Sequence, residues 1–416
     1  MELAPDTRQL AKYSPTSTPV LDVLRPVESR RRGRISSGEY FFLSSTVILT
    51  LIALPMLSRA AAAISPLPNL RAIVTAFVVL PGLALTAAIA VHELGHLLAA
   101  WLAGFCFWSS EYSQAARELY SCQGFTLGII KLEAPESGNL ARRLLWVMTG
   151  GPAVSLLGPL AAELYAAQAG LQFLSAFCIH AFSAMSVLLG LAELLPDTGK
   201  GVFSDGARIL MLVRNNAAGQ RWLCNLRLQR ALSRGQHPRS WDEAEVSCAT
   251  AIQDDSRDCV TARWLGYLWA VERQDITSST KYLEEALAAP HSTAAGLRDR
   301  LFLEAAVFQA WFREDSEKAR FWSGQMRMGK VAPVQQARLE IALLWSEGKL
   351  FDAWEKLCGY VSFLRAMSAS PARSLAEQSA AEWKAQLESR MLTRAWRAMY
   401  SMSQEASQHA LQDTLH

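Results

Sequence analysis

Residues 72 to 104 form an apolar run long enough to cross a bilayer, yet His92, Glu93 and His96 sit inside it within five positions. A helix through the hydrocarbon core needs about 20 predominantly apolar residues. Each charged side chain placed at its centre costs roughly 2.5 to 3.5 kcal/mol on insertion scales. Three ionisable groups clustered there call for a metal or a partner that offsets the cost, which restricts both the fold and the chemistry.

Three further apolar runs cover Phe41 to Ser58, Leu144 to Ala162 and Leu171 to Ala192. With the hydrophobic share of the chain at 51%, they predict a four-span helical membrane core over residues 41–212. Residues 1–40 carry Pro5, Pro15, Pro19 and Pro26 and end in Arg25, Arg30, Arg31, Arg32 and Arg34. They read as a flexible basic tail ahead of an uncleaved anchor. Four spans put both chain ends on one side of the membrane. Counting positive charge then places the tail, Arg142, Arg143, Lys200, Arg208 and Arg214 together in the cytoplasm.

Between the second and third spans, Gly124 to Leu132 is a short apolar stretch that predicts one or two β-strands at the membrane surface. From about residue 215 to 416 the chain becomes charged, Ala- and Leu-rich, and spaced like helices. Ala262–Ala270 with Lys281–Leu287, then Ala305–Gly324 and Ala337–Cys358, predict helical hairpins of roughly 34 to 40 residues, resembling tetratricopeptide repeats. Ser374 to Met402 predicts an amphipathic helix that caps the stack. The expected fold is therefore an all-α membrane protein of four transmembrane helices with a small membrane-surface β element, joined to a soluble α-helical repeat domain.

The chemistry centres on Val91-His92-Glu93-Leu94-Gly95-His96. Residues four apart share a helix face, so His92 and His96 can present two imidazoles to one zinc with Glu93 beside them as general base. A catalytic zinc needs a third protein ligand and an open position for water. Asp205, in Ser204-Asp-Gly-Ala-Arg208, follows the cytoplasmic end of the last span, the same depth at which the histidines are expected.

These motifs together resemble the site-2 protease family of intramembrane zinc metalloproteases. The resemblance covers about residues 70–212 and rests on HExxH in an early span, Gly150-Gly-Pro-Ala-Val-Ser155 in the next, and Leu194-Leu-Pro196 with Asp205-Gly-Ala-Arg-Ile-Leu210 after the last. It implies His92, His96 and Asp205 as zinc ligands, Glu93 as the base, and cleavage of a peptide bond in or beside a transmembrane helix of a membrane-protein substrate. It also implies that the strand near Gly124–Leu132 pairs with unwound substrate. The chain departs from the family at Glu193 and Ser155, where members usually carry Asn, and in a longer interval from Pro196 to Asp205.

The other features exclude more than they assign. A net charge of +3 without a basic stripe gives no support to nucleic-acid binding. The seven cysteines are scattered without a CxxC pair, as expected of reduced thiols. His180 reads as a hydrogen-bonded packing residue, Glu163 and Glu193 as carboxylates at span ends, and Gly150, Gly151 and Gly158 as sites of close helix packing. The compact core and basic tail suit a bacterial inner membrane with both termini cytoplasmic, the repeats offering a surface to a protein partner. A catalytically silent membrane scaffold and a zinc hydrolase of lipids or small molecules are the rival readings.

Overall fold

The computed structural model describes residues 80–107, 125–127, 130–133, 139–171, 173–197, 203–289, 295–327 and 331–413. The basic tail and the first anchor expected from the sequence lie outside the described residues.

Three long apolar helices form the first part: α1 (Leu80–Leu102), α2 (Leu140–Gln168) and α3 (Phe173–Leu194). Each holds a window apolar and long enough to cross a membrane, so three candidate spans are found among the described residues. Their outward faces carry exposed Leu83, Leu98, Trp146 and Leu160. Lipid covers apolar surface of this kind, and helix pairs in that setting associate through small residues rather than through the hydrophobic effect. Gly95 and Gly150 meet in this way: a Cβ on either would stand 2.6 Å from the other's carbonyl oxygen. Gly158 differs from the sequence expectation, because nothing lies within 4 Å of the place its Cβ would occupy.

Short strands β1 (Cys106–Phe107), β2 (Phe125–Leu127) and β3 (Ile130–Glu133) pair antiparallel in the order β1-β3-β2. The register sets Phe125 opposite Leu132 and Phe107 opposite the same residue on the other edge.

Helix α4 (Asp205–Val213) follows α3, and α5 (Ala217–Ser233) begins the C-terminal helical part. Trp222, Leu223 and Leu226 of α5 pack with Ala100 and Phe105 at the end of α1 and with Leu140, Leu144 and Val147 of α2. The C-terminal part is thereby fixed to the end of the bundle that carries His96. A short α6 (Glu243–Thr250) precedes three hairpins: α7 (Arg257–Glu272) with α8 (Ile276–Ala288), α9 (Ala295–Trp311) with α10 (Ser316–Gly324), and α11 (Pro333–Ser346) with α12 (Leu350–Ala366). Their first helices start at 257, 295 and 333, equal steps of 38 residues.

Local chemistry explains the hairpins. Each turn passes through a left-handed residue, Gln274 (φ +60°), Glu314 (φ +53°) or Gly348 (φ +72°). In the first two, the next residue is an aspartate, Asp275 or Asp315, whose side chain accepts the backbone N–H three positions on and caps the returning helix. The core holds a fully buried carboxylate, Glu304, between Arg300 (3.0 Å) and Arg338 (2.8 Å).

The last helix, α13 (Pro371–Asp413), is continuous for 43 residues. It packs most closely on α12, the last helix of the hairpin stack. It runs across the turns, with Pro371 against Gly235, Glu382 paired to Arg239, Trp383 stacked on Trp311 at 4.0 Å, Arg390 on Glu314 and Arg394 donating to the Gly348 carbonyl.

Candidate metal site

The site forms where α1, α2, α3 and α4 converge. One turn of α1 separates His92 from His96, and both imidazoles are buried, at 5% and 2% exposure. Their Nε2 atoms lie 3.1 Å apart. They reach this spacing because α2 passes Gly151 beneath them; a Cβ there would be 2.3 Å from His96 Nε2 and 2.7 Å from His92 Nε2.

Asp205 is the first residue of α4, and Ser204 sets its position. The Ser204 hydroxyl donates to the Leu195 carbonyl (2.6 Å), accepts the Asp197 N–H (3.0 Å) and caps α4 by accepting from Ala207 N–H. The end of α3 and the start of α4 are thus clipped together across the long interval noted in the sequence. Gly206 permits the approach, since a Cβ there would fall 1.9 Å from the Leu194 carbonyl oxygen. Asp205 Oδ2 consequently stands 2.9 Å from His96 Nε2 and 3.2 Å from His92 Nε2. The ligand atoms of His92, His96 and Asp205 all fall within 4.8 Å of one another.

The hydrogen bonds behind the imidazoles decide what this cluster can hold. His96 Nδ1 lies 2.7 Å from the Val147 carbonyl, an acceptor only, so that nitrogen carries the proton. In a neutral ring this leaves His96 Nε2 as a lone pair aimed at Asp205 Oδ2, a buried oxygen without a hydrogen-bond partner of ordinary geometry. His92 Nδ1 is 2.9 Å from Ser155 Oγ, which leaves its Nε2 directed at the same point. Ser155 is fully buried, and its own carbonyl accepts from Ser186 Oγ. With His92 in the same tautomer as His96, both Nε2 lone pairs face the carboxylate oxygen, an arrangement that a cation between them would stabilise. The donor set of two imidazoles and one carboxylate, with each ring oriented from behind, fits zinc.

Glu93 is neighbour to His92 on α1 and, unlike the histidines, is partly exposed. Two other carboxylates depart from the reading of solvated span ends. Glu193, half-buried at the end of α3, lies beside Asp205 at the edge of the site. Glu163 pairs with His180 Nδ1 at 2.8 Å between α2 and α3, which gives His180 its hydrogen-bonded place. In the sequence Ser155 stood out only as a departure from the family and Gly151 only as a site of close helix packing. Their contacts with the imidazoles depend on how α2 crosses α1.

Compared with known proteins, the chain matches no protein-family model, no curated protein and no solved structure.

Proposed function

We propose that the chain is an intramembrane zinc metalloendopeptidase of the site-2 protease type, cutting a peptide bond in or near a transmembrane segment of a membrane-protein substrate. The observation that carries this reading is the meeting of His92 and His96, buried on an apolar helix of membrane-spanning length, with Asp205 at the start of α4. Zinc, when bound, would polarise the scissile carbonyl and lower the pKa of a bound water to about 7.

The chain's own groups do the rest. Glu93 takes a proton from the attacking water on its carboxylate and passes it to the leaving amide nitrogen. Val147 and Ser155 hold the two rings by Nδ1 so that their Nε2 atoms stay directed inward. The helices around the site shield it from bulk water, and an outer strand of the small sheet would offer hydrogen bonds to a substrate strand once its helix has opened. A four-span core in a bacterial inner membrane, with both termini and the tetratricopeptide-like repeats cytoplasmic, completes the proposal. The repeats would bind a protein partner.

Glu193 supports a second reading. A further carboxylate at the edge of the site, where the family carries Asn, could occupy the position that water needs and leave a catalytically silent scaffold. Elemental analysis of the detergent-purified protein, with His92→Ala, Asp205→Ala and Glu93→Gln beside it, tests the proposal. Near one zinc per chain, lost in the first two variants and kept without peptide turnover in Glu93→Gln, is the expected outcome. A well-folded wild type that takes up no zinc overturns it, and zinc with no cleavage of any membrane helix favours the scaffold.

A further inference from the structure

Asp205 lies at one end of α4, a helix of nine residues whose other attachments reach into the C-terminal helical part. One turn along, Arg208 closes on Asp258 with both guanidinium nitrogens, Nη1 to Oδ2 and Nη2 to Oδ1, the second at 3.1 Å. Its planar group is held between the rings of Phe203 (4.6 Å) and Trp222 (4.3 Å). Side-chain exposures of 15% for Arg208 and 16% for Asp258 set the pair apart from the exposed ion pairs of the surface. A stacked, two-pronged and partly desolvated pair of this kind is directional, and lysine cannot reproduce it.

Asp258 is itself anchored. It stands in the first turn of α7, the opening helix of the three equally spaced hairpins, and its carbonyl accepts from Asn225 Nδ2 at 2.9 Å. The cap of that helix, Ser256, accepts from Arg221 (2.8 Å), which also pairs with Asp254 at 2.9 Å and is fully buried. A displacement of the first hairpin can therefore reach α4 through Arg208 as well as through the packing of α5. At the other end of α4, Gly206 fixes Asp205 against the Leu194 carbonyl.

We infer that Arg208 is a positioning residue that couples the helical repeats to Asp205, so that the arrangement of the first hairpin sets how well the third ligand meets the histidines. This rests on Asp205 being a zinc ligand, as proposed above. A partner bound to the repeats thereby gains a route to the site without touching it.

The test uses the full-length protein in detergent, read by zinc affinity in competition with a chromophoric chelator and by the visible absorption bands of the cobalt-loaded form. Arg208→Ala and Asp258→Asn each weaken zinc binding by about tenfold, the lower end of the range for groups that orient a ligand from behind. Each shifts the cobalt bands. The double variant is no weaker than either single, because both remove one interaction, and Arg208→Lys fails to restore it. Arg327→Ala, which breaks a more exposed Arg–Asp pair, with Asp299 of α9 and away from α4, leaves both readouts unchanged. Should Arg208→Ala fail to fold, the near-isosteric Asp258→Asn carries the test alone. Wild-type affinity and wild-type cobalt bands in the folded single variants, or additive losses in the double, overturn the coupling while leaving the zinc reading intact. A wild type that binds neither metal removes both.

Discussion

At the scale of single residues, the site depends as much on side chains that are missing as on those present. The two imidazoles occupy the volume that any Cβ on Gly151 would need. Gly151→Ala is therefore expected to abolish stoichiometric zinc binding although every ligand remains, with the helical circular-dichroism signal of the detergent-solubilised protein unchanged. Zinc retained near one per chain would show that α2 can move aside and that the crossing at Gly95 and Gly150 is less rigid than its packing implies. HExxH was legible in the sequence because its spacing alone puts both rings on one face. Gly151 was not, because a Gly-Gly-Pro stretch in an apolar run is equally consistent with plain helix packing.

At the scale of elements, the seam between α13 and the hairpins holds a titrating group. Burial, with Glu382 and Glu304 nearby, raises the Glu272 carboxyl from 4.5 to about 7, against the opposing pull of Arg338 and Arg239. His237 faces it at 3.4 Å, itself held below the usual imidazole range by burial and by Arg239. A carboxyl with a raised folded pKa gives the native state an extra proton between pH 4.5 and about 7, so stability falls as pH rises through that window. Glu272→Gln is expected to raise the thermal unfolding midpoint more at pH 8 than at pH 5, followed by tryptophan fluorescence of the full chain. An equal shift at the two pH values would remove the charge argument. The hairpins were readable from helical spacing. Their even step was obscured because the left-handed turn residue differs each time, Gln274, Glu314 and Gly348.

At the scale of the whole molecule, α5 joins the C-terminal helical part to the same end of the bundle as the histidines, through Trp222, Leu223 and Leu226. Gly170, between α2 and α3, lies at the opposite end, in an exposed turn with φ +55°. If α2 and α3 span the membrane as proposed, Gly170 and the hairpins lie on opposite sides of it. In a background without native cysteines, Gly170→Cys should react with a membrane-impermeant thiol reagent added from one side of sealed vesicles, and Gly348→Cys only when the other side is exposed. Labelling of both from one side would refute the spanning of α2 and α3.

The sequence by itself determined what is local or periodic. Membrane-length apolar runs, two histidines on one helix face and the alternation of helices and turns follow from hydrophobic burial and backbone periodicity over a few residues. The tertiary structure alone decided which distant groups meet. Asp205 comes to the histidines because Ser204 and Gly206 lock α4 to the end of α3. Ser155 lies behind His92 because α2 crosses α1 on glycine, and Glu193, half-buried, lies beside Asp205. The place of α13 along the hairpin turns rests on pairs as distant in the chain as Arg239 with Glu382 and Glu314 with Arg390. Such contacts depend on helix crossing and close packing between remote segments, which no local pattern of residues encodes.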